Sequence, residues 1–310
     1  MAYEARILLD SINEQEERLT TFEVTFPRIV LAEFNTHRMF SRNSASSRAI
    51  PVAKQLSRVL DDPFIPVYWG VNQSGMQAAA ELNPEEQVVA EDKWLLQRDY
   101  AVLGAVALTG GVDELKDESL QERIKDLQTE TGYKGTSLPT PIHKQIANRL
   151  LEPFMWHTVI VTATDWNNYF ALRANPQAQP EIQRAAYLMK DLYSGNTPQK
   201  LGDDEWHTPL IQVDERDMPI EVLKKISAGR CARVSYLTHD GVRAPEKDVE
   251  LCEGLMISGH MSPLEHVARP QTDNERTASL YSGNFRGWHQ YRKDFPNEGD
   301  FSLITQPKTE

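Results

Sequence analysis

Positions 35 to 48 read Asn-Thr-His-Arg-Met-Phe-Ser-Arg-Asn-Ser-Ala-Ser-Ser-Arg. One histidine, three arginines, four serines and two asparagines share this turn-prone run. A strand-like stretch from Phe22 to Phe34 precedes it, and an apolar helix-like stretch from Pro51 follows. Such a cluster is hard to justify as scaffold, which constrains the fold to one that holds the run at the edge of a cleft. Guanidinium forks and hydroxyls suit phosphate oxygens, while His37 and the asparagine amides suit the edges of a heterocycle. The run reads as a binding loop for an anionic, ring-bearing ligand; a polar surface turn is the alternative.

The chain has 310 residues, room for one large domain or two small ones. The expectation is a single domain over 1–310, with 112–135 and 195–218 as exposed insertions or loops. A net charge of −12 disfavours a general nucleic-acid-coating role, so the functional arginines must act locally. No apolar run approaches the roughly 20 residues that span a bilayer. The N-terminus lacks the basic-then-apolar pattern of a signal peptide. Two cysteines, Cys231 and Cys252, suggest a reducing compartment, and a cytoplasmic protein is expected. Neither thiol has a base beside it in sequence, and both read as structural. No Cys/His or carboxylate spacing suggests a metal.

Phe22, Val24 and Phe26 alternate and Ile29-Val30-Leu31 is denser, so residues 20–34 are expected to form a buried strand. Pro84 to Leu108 reads as a long helix, started by its proline and stopped by Gly110-Gly111. Residues 112–135 read as an exposed helix and a turn. Further helices are expected at His143–Phe154, Asp165–Arg173, Ala178–Tyr193, Ile220–Ala228 and Glu246–Ser258, with a strand at Thr158–Thr162. The Pro-, Gly- and Asp-rich stretch 195–218 carries Trp206 and His207; a surface excursion is favoured there over a lid.

Three more constellations stand out. Asn168 and Arg173 sit five positions apart on one helix, near Thr162, Thr164 and Gln177. Arg149 lies in an otherwise apolar segment and needs an anion or a carboxylate. Cys231-Ala-Arg-Val-Ser235-Tyr and Gly259-His260-Met-Ser262-Pro-Leu-Glu265-His266 come later, followed by the recognition-rich stretch Ser282 to Lys293 with Arg286, Gln290 and Arg292.

The first run resembles the R-H-R-x-x-S-x-N-E-x-S-x-R signature of the flavin-dependent thymidylate synthases. His37, Arg38, Ser41, Asn43, Ser46 and Arg48 match; Thr36 replaces an arginine and Ser44 a glutamate. Asn168, Leu172-Arg173 and Ala178-Gln-Pro-Glu-Ile match that family's second helix. The A-R-x-S-Y and G-H-x-S-P-x-E-H segments are matched as well, but they follow the arginine-rich run instead of preceding it. The motif order is therefore circularly permuted, which is tolerable where old termini meet and new ones fall at an exposed site.

The resemblance implies an α/β (α+β) fold with a central, mostly antiparallel sheet flanked by long helices. It implies reductive methylation of dUMP to dTMP with FAD, NADPH and 5,10-methylenetetrahydrofolate, in a homotetramer with no nucleic acid or membrane partner. Arg173 would polarise the uracil. Glu33, Ser44, Ser46, Ser47, Arg48 and Arg149 would hold the nucleotide. His37, Arg38, Asn43, Asn168, Ser235, His260, Ser262, Glu265 and His266 would hold FAD. Glu33 stands where the family has glutamine and accepts hydrogen bonds without donating them. That difference, with Thr36 and Ser44, leaves a pyrimidine nucleotide hydroxymethylase as the near alternative, and a non-catalytic nucleotide- or flavin-binding homologue as the distant one. The Ser282–Lys293 stretch reads either as a degenerate second arginine motif or as a basic helix facing solvent or a neighbouring subunit.

Overall fold

The computed structural model describes residues 3–75, 77–234, 244–278, 283–300 and 302. Strands β1 (Glu4–Ile12) and β2 (Arg18–Pro27) form an antiparallel hairpin. Pro27, with φ fixed near −60° and no N–H to donate, ends β2. The expected strand to Phe34 therefore stops early. Ile29-Val30-Leu31 turns through a 3-10 segment into the short helix α1 (Leu31–Asn35).

The arginine-rich run is partly strand rather than loop. Ser41–Ser44 forms β3, which pairs antiparallel with β4 (Trp156–Ala163). The sheet order is β3-β4-β2-β1-β5, where β5 (Gln199–Lys200) lies parallel to β1 and the other pairs are antiparallel. This is the mixed α/β architecture that the motifs imply.

Alternation along β2 and β4 gives the sheet two chemically distinct faces. Phe22, Val24, Phe26, Val159, Val161 and Ala163 pack with Trp166, Tyr169, Ile182, Ala185 and Met189 of helices α6 (Asn167–Arg173) and α7 (Pro180–Gly195) and the turn before α6. Each Val, Ile, Phe or Met side chain among them contributes about 1.5–3 kcal/mol on burial. The opposite face carries threonines in register. Thr21 and Thr162 bond through their hydroxyls at 2.7 Å, and Thr25 and Thr158 at 2.9 Å.

A second core gathers α2 (Val52–Asp61), α3 (Pro84–Leu108), α4 (Glu118–Thr131) and the 3-10 segment Asn148–Phe154 around Leu56, Leu103, Val106, Ile124 and Leu151. Helix α3 has the bounds the sequence predicts, with an Asn83–Glu86 capping box at its start. Helix α4 is only half exposed, because Leu120 and Ile124 face this core. His143–Phe154 divides into α5 (Lys144–Ala147) and that 3-10 stretch, which contains Pro153.

The C-terminal third covers the threonine face. Helices α8 (Ile220–Ala232) and α9 (Pro245–Ile257) pack closely because Gly229 has no Cβ; one there would collide with the Asp248 carbonyl oxygen. Arg230, nearly fully buried, bridges Glu215 at 2.6 Å and Asp248 at 3.0 Å. Segment 195–218 is mostly at the surface, yet it buries Leu201, His207 and Glu215. The favoured surface excursion is thus wrong for His207, which has no exposed area. Strand β6 (Ala268–Pro270), the short helix α10 (Asp273–Thr277) and strand β7 (Trp288–Gln290) complete the fold, with β6 and β7 antiparallel. No described helix is long and apolar enough to cross a membrane.

Candidate active site

Helix α1 and strand β3 present the arginine-rich run between the C-terminal end of β4 and helix α6. His37 is buried between aromatic rings, stacked on Phe40 and edge-on to Tyr169. Its Nε2 accepts a hydrogen bond from Arg173 Nε at 3.1 Å. Burial, reinforced by Arg173 and Arg42, lowers its pKa to about 4. The ring is therefore neutral at pH 7, with its proton on Nδ1 and its Nε2 lone pair committed to Arg173.

Arg173 also donates to Thr36 Oγ1 at 3.2 Å, and that hydroxyl donates to the Glu33 carbonyl at 2.6 Å. Both partners of the Arg173 guanidinium are neutral. Among the described residues no carboxylate pairs with it, and its charge is left for an external anion. Glu33 lies on helix α1, two residues before its end and four before His37, and its Oε2 is buried without a hydrogen-bond partner.

The G-H-x-S-P-x-E-H segment arrives from the other end of the chain. Its 3-10 turn, Ser262–His266, packs on β3. His266 Nε2 lies 3.1 Å from the Asn43 amide, and its Nδ1 lies 2.8 Å from Thr162 Oγ1. Burial lowers the His266 pKa to about 3. Arg42 donates to the His37 and Phe34 carbonyls and feels the charge of Glu265; desolvation lowers its pKa. Glu265 in turn accepts from Arg292 at 3.1 Å.

Of the stretch Ser282 to Lys293, Ser282 lies outside the described residues, and the rest is a turn, strand β7 and a 3-10 segment, not a solvent-facing helix. Gln290, fully buried, donates to Ser41 Oγ, the Glu265 carbonyl and Asn284 Oδ1 at 2.9–3.1 Å. Arg286 is largely exposed and lies 3.4 Å from Asp165.

A separate cationic cluster lies toward the other end of β4. Glu152 Oε1 accepts from Arg149 at 2.8 Å, Ser47 at 3.1 Å and Arg28 at 3.2 Å. Two guanidiniums share one carboxylate, leaving a net positive charge there. Arg149, read as needing an anion or a carboxylate, is paired with the Glu152 carboxylate and is half exposed. Arg28 lies against the His157 ring, 3.1–3.2 Å from both of its nitrogens.

A family model described as thymidylate synthase complementing protein, Thy1, matches residues 14–199, more than half of the chain. The chain belongs to this family. The match covers both the arginine-rich run and the Asn168–Arg173 helix, the pieces that meet at the His37–Arg173 bond. No curated protein matches the chain.

Solved structures with similarity to this chain include the UMP/dUMP methylase PolB from Streptomyces cacaoi bound with 5-Br UMP. It is 13% identical with a TM-score of 0.42, over 62% of this chain and 89% of that one. A second structure of that methylase, bound with 5-Br dUMP, is 18% identical with a TM-score of 0.36, over 58% of this chain and 68% of that one. The flavin-dependent thymidylate synthase ThyX from Helicobacter pylori, complexed with FAD and dUMP, is 14% identical with a TM-score of 0.33, over 56% and 67%.

Of the residues singled out from sequence in this family member, His37, Asn43, Arg173, Ser262, Glu265 and His266 come together around β3 and α6. Ser47 and Arg149 come together on Glu152. Ser44 and Ser46 are partly buried beside them along the chain. Arg38, Arg48, Asn168 and His260 are exposed, without a described bond into either cluster. Ser235 lies outside the described residues. Cys231 and Cys252 are buried, and burial raises both thiol pKa values, that of Cys252 to about 12. Neither has the electropositive, accessible surroundings of a nucleophile.

Sequence reasoning missed Arg42, Thr21, Thr162 as a bonding partner, Arg28, Glu152 and His207. The threonine ladder had a signal in period-two alternation, since Thr21, Thr25, Thr158 and Thr162 all sit out of phase with the apolar positions. Arg28, Glu152 and His207 had none, because their roles depend on partners distant in sequence.

Proposed function

We propose that the chain methylates carbon 5 of a uracil nucleotide, with dUMP as substrate and dTMP as product, using FAD, NADPH and 5,10-methylenetetrahydrofolate. The observation that carries this reading is the Arg173–His37 pair. A guanidinium is held by a neutral imidazole and a hydroxyl, with its charge uncompensated. Attack from carbon 5 requires an electron-rich ring whose negative charge rests on its imide nitrogen and oxygens, and a preorganised cation there stabilises that form by a few kcal/mol. His37 fixes the orientation of Arg173 and, being neutral, cannot repel its charge further.

The residues fit a phosphate-bearing flavin. Exposed Arg38 supplies a cation for phosphate, the Asn43 amide a polar contact for a ring edge, and Ser262 and Glu265 line the same turn. When bound, FAD supplies the reducing equivalents and carries the one-carbon unit. Asn168, at the exposed start of α6, and His260 are further contacts. The Arg149–Glu152–Ser47 cluster, with Ser44, Ser46 and Arg48, would hold the nucleotide phosphate. The two buried thiols leave electrostatic activation by Arg173 as the route to a nucleophilic ring. A homotetramer, as the resemblance implies, would let neighbouring protomers complete each site.

Glu33 favours a second reading. Its unpartnered Oε2 can accept a hydrogen bond but not donate one, and it stands where the family has glutamine. That suits a changed base or a hydroxymethyl product. Full-length protein incubated with FAD, NADPH, methylenetetrahydrofolate and either dUMP or a cytosine nucleotide, with mass spectrometry of the nucleotide, separates the readings. A methyl increment on dUMP supports the first and a hydroxymethyl increment the second. Protein that neither binds FAD nor alters any pyrimidine nucleotide is the outcome against both.

A further inference from the structure

One continuous file of hydrogen bonds crosses the polar face of the sheet. The Asn43 amide meets His266 Nε2 at 3.1 Å, and His266 Nδ1 meets Thr162 Oγ1 at 2.8 Å. Thr162 Oγ1 meets Thr21 Oγ1 at 2.7 Å, and Thr21 Oγ1 meets His207 Nε2 at 2.8 Å. His207 Nδ1 then meets Ser11 Oγ at 2.8 Å. Ser11, Thr21, Thr162, His207 and His266 have no exposed area. Nothing in the file reaches water except through Asn43, which is partly exposed.

Each hydroxyl has one proton and each neutral imidazole has one N–H, so the file must run in a single direction. Asn43 decides which. With its oxygen toward His266, the amide oxygen faces only acceptors and its nitrogen only donors. Turned about, its nitrogen donates to His266 Nε2 at 3.1 Å and to the Ser262 and Arg42 carbonyls, both at 3.2 Å. His266 then carries its proton on Nδ1 and donates to Thr162. Thr162 donates to Thr21, Thr21 to His207 Nε2, and His207 Nδ1–H to Ser11. From His266 to Ser11 each bond then has its own proton, and the two Asn43 N–H groups are shared among His266 Nε2 and the two carbonyls. Successive bonds in one direction also polarise one another. Burial, and for His207 also the neighbouring His266, keeps both rings neutral; their pKa values fall to about 3.

With its amide hydrogens engaged inward, the only Asn43 atom left to meet a ligand is its carbonyl oxygen, which has two lone pairs and which the reversal also turns toward donors of the chain. We infer that the Ser11–His207–Thr21–Thr162–His266 file holds Asn43 as a hydrogen-bond acceptor for an imide N–H, and that His207 is a positioning residue of the site. His207 lies outside the segment that the family model matches and touches no ligand-facing group itself. The inference rests on the reading of Asn43 as ligand-facing in the proposed function. An N–H flanked by two carbonyls occurs in both a flavin ring and uracil. A base with a bare ring nitrogen at that place, such as cytosine, would set a lone pair against the Asn43 oxygen.

The tautomers test the file without reference to activity. In the full chain labelled with 15N-histidine, magic-angle-spinning NMR at pH 7 is expected to show His207 and His266 protonated on Nδ1 only. Either ring protonated on Nε2, or on both nitrogens, would overturn the inference. Thr162→Val removes the central hydroxyl and should release His266 into a tautomer mixture; Thr162→Ser should restore the single form.

Ligand discrimination tests the positioning role. Affinities for dUMP and FAD would be compared with those for their N3-methylated forms. In the native chain, methylation is expected to weaken one of the two by at least about tenfold, identifying which ring Asn43 meets. Thr162→Val and His207→Phe should reduce that ratio to less than about threefold, and Thr162→Ser should keep it. A merely structural role would weaken both members of each pair alike and leave the ratio unchanged, which would overturn the positioning claim. A native chain with correct tautomers that binds neither dUMP nor FAD would overturn the imide assignment and the proposed function together. Wrong tautomers with tight dUMP and FAD binding would overturn the file alone. Should His207→Phe fail to fold, the native tautomers and the two Thr162 variants still decide.

Discussion

Asn43 and His266 are 223 residues apart in the chain and 3.1 Å apart in space. One sits on the edge strand β3 and the other on a 3-10 turn from the C-terminal third. Their contact joins the segment matched by the family model to one beyond it. The candidate site is therefore closed by residues from both ends of the polypeptide.

Arg173→Ala should lower kcat by at least about 100-fold, the scale of losing a preorganised electrostatic donor. FAD should remain bound, as read from the flavin absorbance of purified protein. Arg173→Lys should rescue little, because lysine has no Nε–H at the position that meets His37. Near-native turnover in either variant removes Arg173 from the chemistry.

Glu152→Ala leaves Arg28 and Arg149 without their shared carboxylate. Unfolding in urea should show a loss of about 1–3 kcal/mol, typical of stranding a partly buried charged group. Millimolar phosphate should then raise the melting temperature of this variant more than that of the native chain, by binding the exposed cations. An equal phosphate effect on both proteins argues against an anion site here.

Cys231→Ser with Cys252→Ser should retain turnover within about twofold, since activation of the ring is assigned to charge and not to thiolate addition. A hydroxyl in place of each buried sulfur costs about 1–3 kcal/mol of stability when unpaired. A folded double variant with abolished turnover would revive a thiolate route.

Acid should destabilise the protein through its buried imidazoles. His37 has its pKa lowered to about 4, and His157, His207 and His266 theirs to about 3, against 6.5 for the free side chain. Below pH 6.5 the unfolded chain binds protons that the folded chain refuses, so acid favours unfolding. Their stabilising contribution is complete above about pH 6.5 and disappears as pH falls through 4 toward 3. Each pKa unit of difference corresponds to about 1.4 kcal/mol. Urea midpoints should be distinctly lower at pH 4.5 than at pH 7, and His157→Gln should narrow the difference. Equal midpoints at the two pH values would show that these rings are not held neutral.

The amino-acid sequence by itself determined the local pieces. Period-two alternation marked β2 and β4, and the Asn83–Glu86 box with Pro84 and Gly110-Gly111 bounded α3. The matched motifs marked His37, Asn43, Arg173, Glu265 and His266. Each of those signals is carried within a few consecutive residues, through backbone geometry, capping or side-chain chemistry. Tertiary structure alone decided what those residues bond to. Pro27 turned the expected strand into a helix that points His37 at Arg173. Pairing with β4 made the serine-rich run a strand, and burial of His207 drew an apparent surface loop under the sheet. Partner choice over such separations depends on burial and on satisfying every buried donor and acceptor at once, a condition on the whole fold that no short window of sequence contains.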